Sequence, residues 1–290
     1  MTHLSVMGAG KIGGEVAYLS TIMGIADSLT LADCNAPFLN AQKLDIIHTG
    51  IDIDISTDPA DIKNSDIIVF SAGKPRNPQI KTRADLLGEN IPVAKEFCSK
   101  IEGFDGILIC ITNPVDAVNE YICRNSGIER ERCIGFGGQL DLARFRNFLK
   151  SRGINPDGSV VLGEHGEHQV PLFSGLKEKV DNGTREEILS EMRGASMPVI
   201  KGKGGTVFGP AYNITRLIQA VKNGKNEIFP CSCCLKGEYG YSGLSIGVPA
   251  KIGKEGIIKI YEKDMDSWEK EKFSKAANHL INLCRRTHDR

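Results

Sequence analysis

The sequence predicts an α/β fold, with a doubly wound parallel sheet over residues 1–137 followed by an α+β half over residues 138–290. Three observations carry this expectation. Short apolar runs alternate with stretches of helical spacing through the first half, the pattern of a parallel sheet covered on both faces. A glycine-rich turn joins the first apolar run to the first helical stretch. The second half loses the alternation and ends in an antiparallel pattern followed by an amphipathic helix.

In chain order, strands are expected at 4–7, 28–32, 66–71, 106–112 and 133–136, and helices at 11–23, 36–48, 83–101 and 114–126. Right-handed crossovers then place the helices on both faces of the sheet. Beyond the soft boundary near residue 138, a helix is expected at 140–151 and a strand at 159–162. Helices follow at 185–200 and 209–223. Strands at 228–235 and 244–248 flank a turn at 237–243, and a helix over 266–284 closes the chain.

The chain of 290 residues is long enough to bury a core without disulfides. Lys plus Arg equals Asp plus Glu, 36 of each, and a chain without basic excess is a poor candidate for a polyanion partner such as nucleic acid. The nine cysteines follow no framework spacing and mostly sit in apolar runs, so they read as buried thiols. Cys231, Cys233 and Cys234 alternate along an expected strand and read as core thiols rather than a metal cluster. No apolar run reaches the ~20 residues of a membrane span, and no signal-peptide pattern is present. A cytoplasmic location is the expectation.

Gly8-Ala9-Gly10-Lys11-Ile12-Gly13 follows the first strand and opens the first helix. Gly8 suits the tight turn, Gly10 lets backbone approach a pyrophosphate, and Gly13 lets helix and strand pack closely. The helix N-terminus offers free N–H groups and positive dipole to phosphates. Asp33 closes the second strand about 20 residues beyond Gly13, where a carboxylate accepts hydrogen bonds from a ribose diol. A plain glycine turn with a helix-capping Asp is the alternative, but strand, loop, helix and acid in register point to a dinucleotide in a Rossmann arrangement. Asp33 repels a 2′-phosphate and so favours NAD over NADP, a preference that Lys11 and Lys43 could soften.

Four more segments carry polar residues at the ligand edge. Ser71 to Arg83 is a long polar loop rich in Pro and charge, either a lid or a basic surface loop. Thr112-Asn113-Pro114-Val115-Asp116 puts Asn113 at a strand end, where it can hold a ligand, cap the next helix, or do both. Asp141 and Arg144, three apart, share a helix face. Gly163-Glu164-His165-Gly166-Glu167-His168 ends a strand with His165 between glycines. Beside a carboxylate His165 would exchange protons near neutral pH. His165 and His168, close to a lone Glu, raise the question of zinc. The spacing is not His-Glu-x-x-His and no further ligand is apparent in the sequence, so no metal is expected.

Taken together these segments resemble the lactate/malate dehydrogenase family, most closely its archaeal-type malate dehydrogenases, nearly end to end. Lys203-Gly204-Gly205-Thr206 and Gly247-Val248-Pro249 also match. The resemblance implies NAD-dependent interconversion of malate and oxaloacetate in a homodimer or homotetramer. His165 would take the hydroxyl proton and Asp141 would orient it. Arg144 would clamp the substrate carboxylate, Arg83 would polarise the carbonyl, and Arg76 would pair with a second carboxylate. Asn113 would bind substrate or cofactor, and Thr206 would line the pocket. Gly8, Gly10, Lys11, Ile12, Gly13, Asp33, Asn90, Thr112 and Asn113 would face the cofactor.

Three departures from the family pattern stand out. Glu167 replaces the usual Asp, His168 replaces a small polar residue, and the lid is one residue longer between Arg76 and Arg83. The last leaves Lys74 and Lys81 as alternatives to Arg76. An L-lactate dehydrogenase and a non-catalytic NAD-binding regulator are the competing readings.

Overall fold

The computed structural model describes residues 1–74 and 82–288. Its strands form an 11-stranded sheet in the order β3-β2-β1-β4-β5-β6-β9-β10-β7-β8, with β11 against β10. The first half supplies β1 (His3–Met7), β2 (Ser28–Ala32), β3 (Asp54–Ser56), β4 (Ile67–Phe70), β5 (Ile107–Cys110) and β6 (Cys133–Gly135). These pair in parallel, with β1 between β2 and β4. The helices α1 (Lys11–Ile22), α2 (Ala36–Ile47), α3 (Arg83–Lys100) and α4 (Val115–Asn125) separate them as expected.

The strands are short because they are buried on both faces. Ile67, Ile68, Val69 and Phe70 are each at most 2% exposed, so β4 reads as an unbroken apolar run. Strand order reverses between β1 and β4, where Met7 lies opposite Phe70. The loops leaving these strands therefore diverge and open a crevice at the carboxyl edge, where ligands of such sheets bind.

The second half comprises α5 (Gly138–Ser151), β7 (Val160–Gly163), β8 (Gln169–Leu172), α6 (Asn182–Gly194), α7 (Met197–Lys203) and α8 (Phe208–Asn223). It ends with β9 (Glu227–Lys236), β10 (Ser242–Gly253), β11 (Gly256–Ile260) and α9 (Ser267–His288). The sheet is continuous across the two halves, because β6 pairs antiparallel with β9 through Gly135 and Ser232.

Three expectations needed correction. The helix expected at 185–200 is two helices, broken where Gly194 ends α6 and Pro198 starts α7 without an N–H to continue the ladder. Strand β10 runs on to Gly253 because Pro249 sits opposite Pro230, so neither missing donor leaves a partner unmatched on that rung. Strands β3, β8 and β11 were not anticipated. β3 spans three residues at the sheet edge, and β8 contains Pro171, which argues against a strand when read locally.

All nine cysteines are free. Cys231 and Cys233 are fully buried in the core, while Cys34 is exposed, against the expectation of buried thiols. No helix among the described residues is long and apolar enough to cross a membrane.

Candidate active site

The glycine turn between β1 and α1 is built by close approach. A Cβ on Gly13 would lie 2.0 Å from the Gly8 carbonyl oxygen, so only glycine lets α1 start this near β1. Ser71 Oγ bonds the carbonyls of Met7 and Gly8 at 2.9 and 2.6 Å, and Gln42 Nε2 donates to the Ala9 carbonyl at 2.8 Å. Among the described residues no side chain caps the N-terminus of α1. Its first N–H groups therefore point toward the crevice with the helix dipole behind them, a seat for a pyrophosphate. Lys11 is exposed beside it and Ile12 is half-buried. Asp33, just past β2, is half-buried and accepts the Asn35 N–H at 2.9 Å with Oδ1. Its second oxygen makes no hydrogen bond to the described residues and can take a ribose hydroxyl. The loop containing Thr206 comes close from the other half, since a Cβ at Gly204 would lie 3.7 Å from Lys11 Nζ. These residues fit a dinucleotide.

Asn90 and Thr112 shape the floor of the crevice. Asn90 is buried on α3. Its Oδ1 accepts the Lys74 N–H at 2.7 Å, and its Nδ2 donates to the Asn113 carbonyl at 2.7 Å. Thr112 Oγ1 donates to the Ala72 carbonyl at 2.8 Å. Both side chains hold the loops after β4 and β5 in place, a role that sequence reading did not distinguish from cofactor contact. Asn113 itself is exposed and does not cap α4, whose N-cap is Pro114.

The reaction centre brings together residues from both halves. His165, in the turn after β7, places Nδ1 2.7 Å from Asp141 Oδ2 on α5. Asp141 is 1% exposed, and its Oδ1 accepts Gln169 Nε2 at 2.8 Å and lies 3.4 Å from Arg144. With Nδ1–H donating to the carboxylate, Nε2 is left free to accept a proton. Burial by itself would lower the His165 pKa. The Asp141 charge and hydrogen bond outweigh it and hold the imidazole above its ordinary value, with Arg83 opposing. Gly137 makes the ring's place, since a Cβ there would lie 2.4 Å from His165 Cγ.

A buried polar chain fixes the His165 backbone. Its N–H donates to Asp116 Oδ2 at 2.8 Å, and Asp116 Oδ1 accepts Ser232 Oγ at 2.5 Å. Ser232 meets Ser245 at 2.8 Å, and Asn119 donates to Ser245 at 2.9 Å. Burial pushes the Asp116 carboxyl up to about 6. The Ser232 hydrogen bond pulls against this, and the Glu164 charge adds to it. From sequence alone Asp116 has no evident role, and Gln169, Ser232 and Ser245 do not stand out. Their only signal was polarity within otherwise apolar strands.

Arg83 starts α3, behind a Thr82–Asp85 capping box. Its Nε lies 3.0 Å from Glu164 Oε1, and its guanidinium crosses Gly166, where a Cβ would lie 2.0 Å from one terminal nitrogen. Arg83 thus stands beside His165. Lys74 is exposed and paired with Glu89. Arg76 and Lys81 lie outside the described residues.

The comparisons with known proteins point to one family. The lactate/malate dehydrogenase NAD binding domain matches residues 2–135, and the alpha/beta C-terminal domain of the same family matches residues 138–288. A malate dehydrogenase of Natronomonas pharaonis is 37% identical over 97% of each chain. L-lactate dehydrogenase 2 of Bacillus cereus is 32% identical over 99% of this chain and 97% of its own. The structure of the malate dehydrogenase from Aeropyrum pernix superposes with a TM-score of 0.87 at 32% identity, covering 97% of each chain.

Proposed function

Because the chain belongs to the lactate/malate dehydrogenase family, we propose that its site interconverts malate and oxaloacetate with NAD. The observation that carries a catalytic reading is the Asp141–His165–Arg83 constellation. A proton acceptor held in one tautomer faces a guanidinium on the crevice that the glycine turn opens. A regulator that merely bound NAD would have no use for this arrangement.

NAD, when bound, supplies the hydride acceptor. The remaining work falls to the chain's own residues. His165 Nε2 takes the hydroxyl proton of malate, and Asp141 stabilises the imidazolium that forms. Arg144, its guanidinium near Asp141, clamps the carboxylate next to the reacting carbon. Arg83 polarises the carbonyl of oxaloacetate as charge grows on its oxygen. Arg76, assigned from sequence, pairs with the second carboxylate, and Thr206 and Asn113 line the pocket. The enzyme works as a homodimer or homotetramer in the cytoplasm and serves the tricarboxylic acid cycle.

Malate rather than lactate is favoured by the greater identity to the malate dehydrogenase than to the lactate dehydrogenase reported above, 37% against 32%. Specificity constants for oxaloacetate and pyruvate test the choice. Wild type should prefer oxaloacetate, and Arg76→Gln should lose that preference by orders of magnitude. A buried carboxylate left without its partner costs ~3–5 kcal/mol. An unchanged ratio in Arg76→Gln, with Lys74→Gln or Lys81→Gln shifting it instead, would reassign the second cation. A wild-type preference for pyruvate would reject the malate reading.

A further inference from the structure

We propose that Glu164, His168 and His279 form a binding site for one divalent transition-metal ion of the zinc, cobalt or nickel kind, and that filling it slows the enzyme. The three donor atoms all lie within 4.8 Å of one another. The β7–β8 turn brings two of them together, because the Glu164 N–H donates to the His168 carbonyl at 3.2 Å and the His168 N–H donates back to Glu164 Oε2 at 3.2 Å. Helix α9 supplies the third. It buries Phe273, Ala276, Ala277 and Leu280 against the sheet, and this sets His279 at the edge of β7 and β8. The two rings sit 4.5 Å apart, tilted by 38°.

The cluster is poorly satisfied as it stands. His279 Nε2 is buried without a hydrogen-bond partner among the described residues, and it lies 3.9 Å from Glu164 Oε1, beyond hydrogen-bond length. Glu164 is 1% exposed, and among the described residues its Oε1 accepts no hydrogen bond, lying 3.0 Å from Arg83 Nε and 3.9 Å from His279 Nε2. Two imidazoles and a carboxylate are the ligand set that borderline divalent ions select, with water completing the shell. Metal bonds of ~2.0–2.1 Å in a tetrahedral site need donors about 3.3 Å apart. The cluster must therefore contract by roughly 1 Å or somewhat more, which the partly exposed His168 and His279 can do by side-chain rotation. Sequence reading expected no metal for want of a further ligand, and His279 lies far along the chain on another element.

Glu164 also faces Arg83, so a dication on its carboxylate repels the guanidinium that stands beside His165. The effect on turnover rests on the role given to Arg83 above, whereas binding itself does not.

The test is equilibrium dialysis and absorption spectroscopy of chelator-treated full-length protein with Co²⁺. The expected result is one ion per chain with visible bands and no near-ultraviolet thiolate band, which separates this site from the cysteines. His168→Asn and His279→Asn should each weaken binding by about 100-fold or more, since loss of even an outer partner costs 10- to 100-fold. Their turnover in chelator should match wild type. In a metal buffer, Co²⁺ should lower wild-type turnover reversibly and spare both variants. No binding up to millimolar Co²⁺, a thiolate band, or undiminished binding in both variants would overturn the site. Binding that the variants lose, without any change in wild-type turnover, would overturn the coupling to Arg83.

Discussion

Asp141 Oδ2 and His165 Nδ1 meet at 2.7 Å although one residue sits on α5 and the other in the turn between β7 and β8. The contact forms because Gly137 leaves room for the ring on one side and Gln169 holds the carboxylate on the other. This geometry determines how the reaction should respond to pH.

With the His165 pKa raised, kcat/KM for malate should climb with pH to a plateau reached above the ordinary histidine range. The same constant for oxaloacetate, which needs the protonated ring, should fall over the same limb. In Asp141→Asn the burial that lowers the pKa remains, while the charge that raises it is lost. The limb should move to lower pH, and turnover should drop by at least about tenfold. His165→Asn should lose ~100- to 10,000-fold in turnover while still binding NADH. An unmoved limb in Asp141→Asn would show that Asp141 does not set the proton affinity of His165.

Asp116 should make the protein less stable as pH rises. Its folded pKa of about 6 lies above the unfolded value near 3.8, so the folded state keeps a proton that the unfolded state has released. The stability attached to that proton is complete below about pH 4 and is lost as pH rises toward 6. The gap corresponds to about 3 kcal/mol. Asp116→Asn adds a constant cost for the altered hydrogen bonds but removes the slope. Denaturant unfolding of both proteins between pH 4 and 7 should show the variant gaining on wild type as pH rises, and parallel curves would contradict the raised pKa.

Gly166→Ala should damage catalysis more than folding. The methyl group would strike the Arg83 guanidinium, the movable end of a long side chain, rather than the backbone. The specificity constant for oxaloacetate should fall by about 10- to 100-fold, in line with the cost of displacing a catalytic group by ~1 Å. The melting temperature should stay near wild type. Wild-type kinetics in this variant would mean that Arg83 works from another position.

Asp33→Ser should narrow the preference for NAD over NADP, mainly by weakening NAD use. The substitution removes both the ribose acceptor and the charge that repels a 2′-phosphate. Specificity constants for both cofactors in wild type and variant measure this. Equal use of the two by wild type would refute the role given to Asp33.

The sequence by itself determined the alternation of strand and helix in the first half, the glycine turn, Asp33, and the identities of His165, Asp141, Arg83 and Arg144. The strands, helices and glycine turn are each written within one element or one turn, where period and glycine placement suffice, whereas the roles of His165, Asp141, Arg83 and Arg144 came from the resemblance to the family. It did not reveal the break between α6 and α7, or β8 with its Pro171, where local propensity and packing disagree. Only the tertiary structure decided that Asp116 on α4 meets Ser232 on β9 and the His165 backbone, that Gln169 holds Asp141, and that His279 on α9 reaches Glu164. These partners belong to different elements, and which faces meet depends on how the whole sheet and its helices bury their apolar sides. A polar residue in an apolar strand announces that it needs a partner, but only the packed fold says which one it finds.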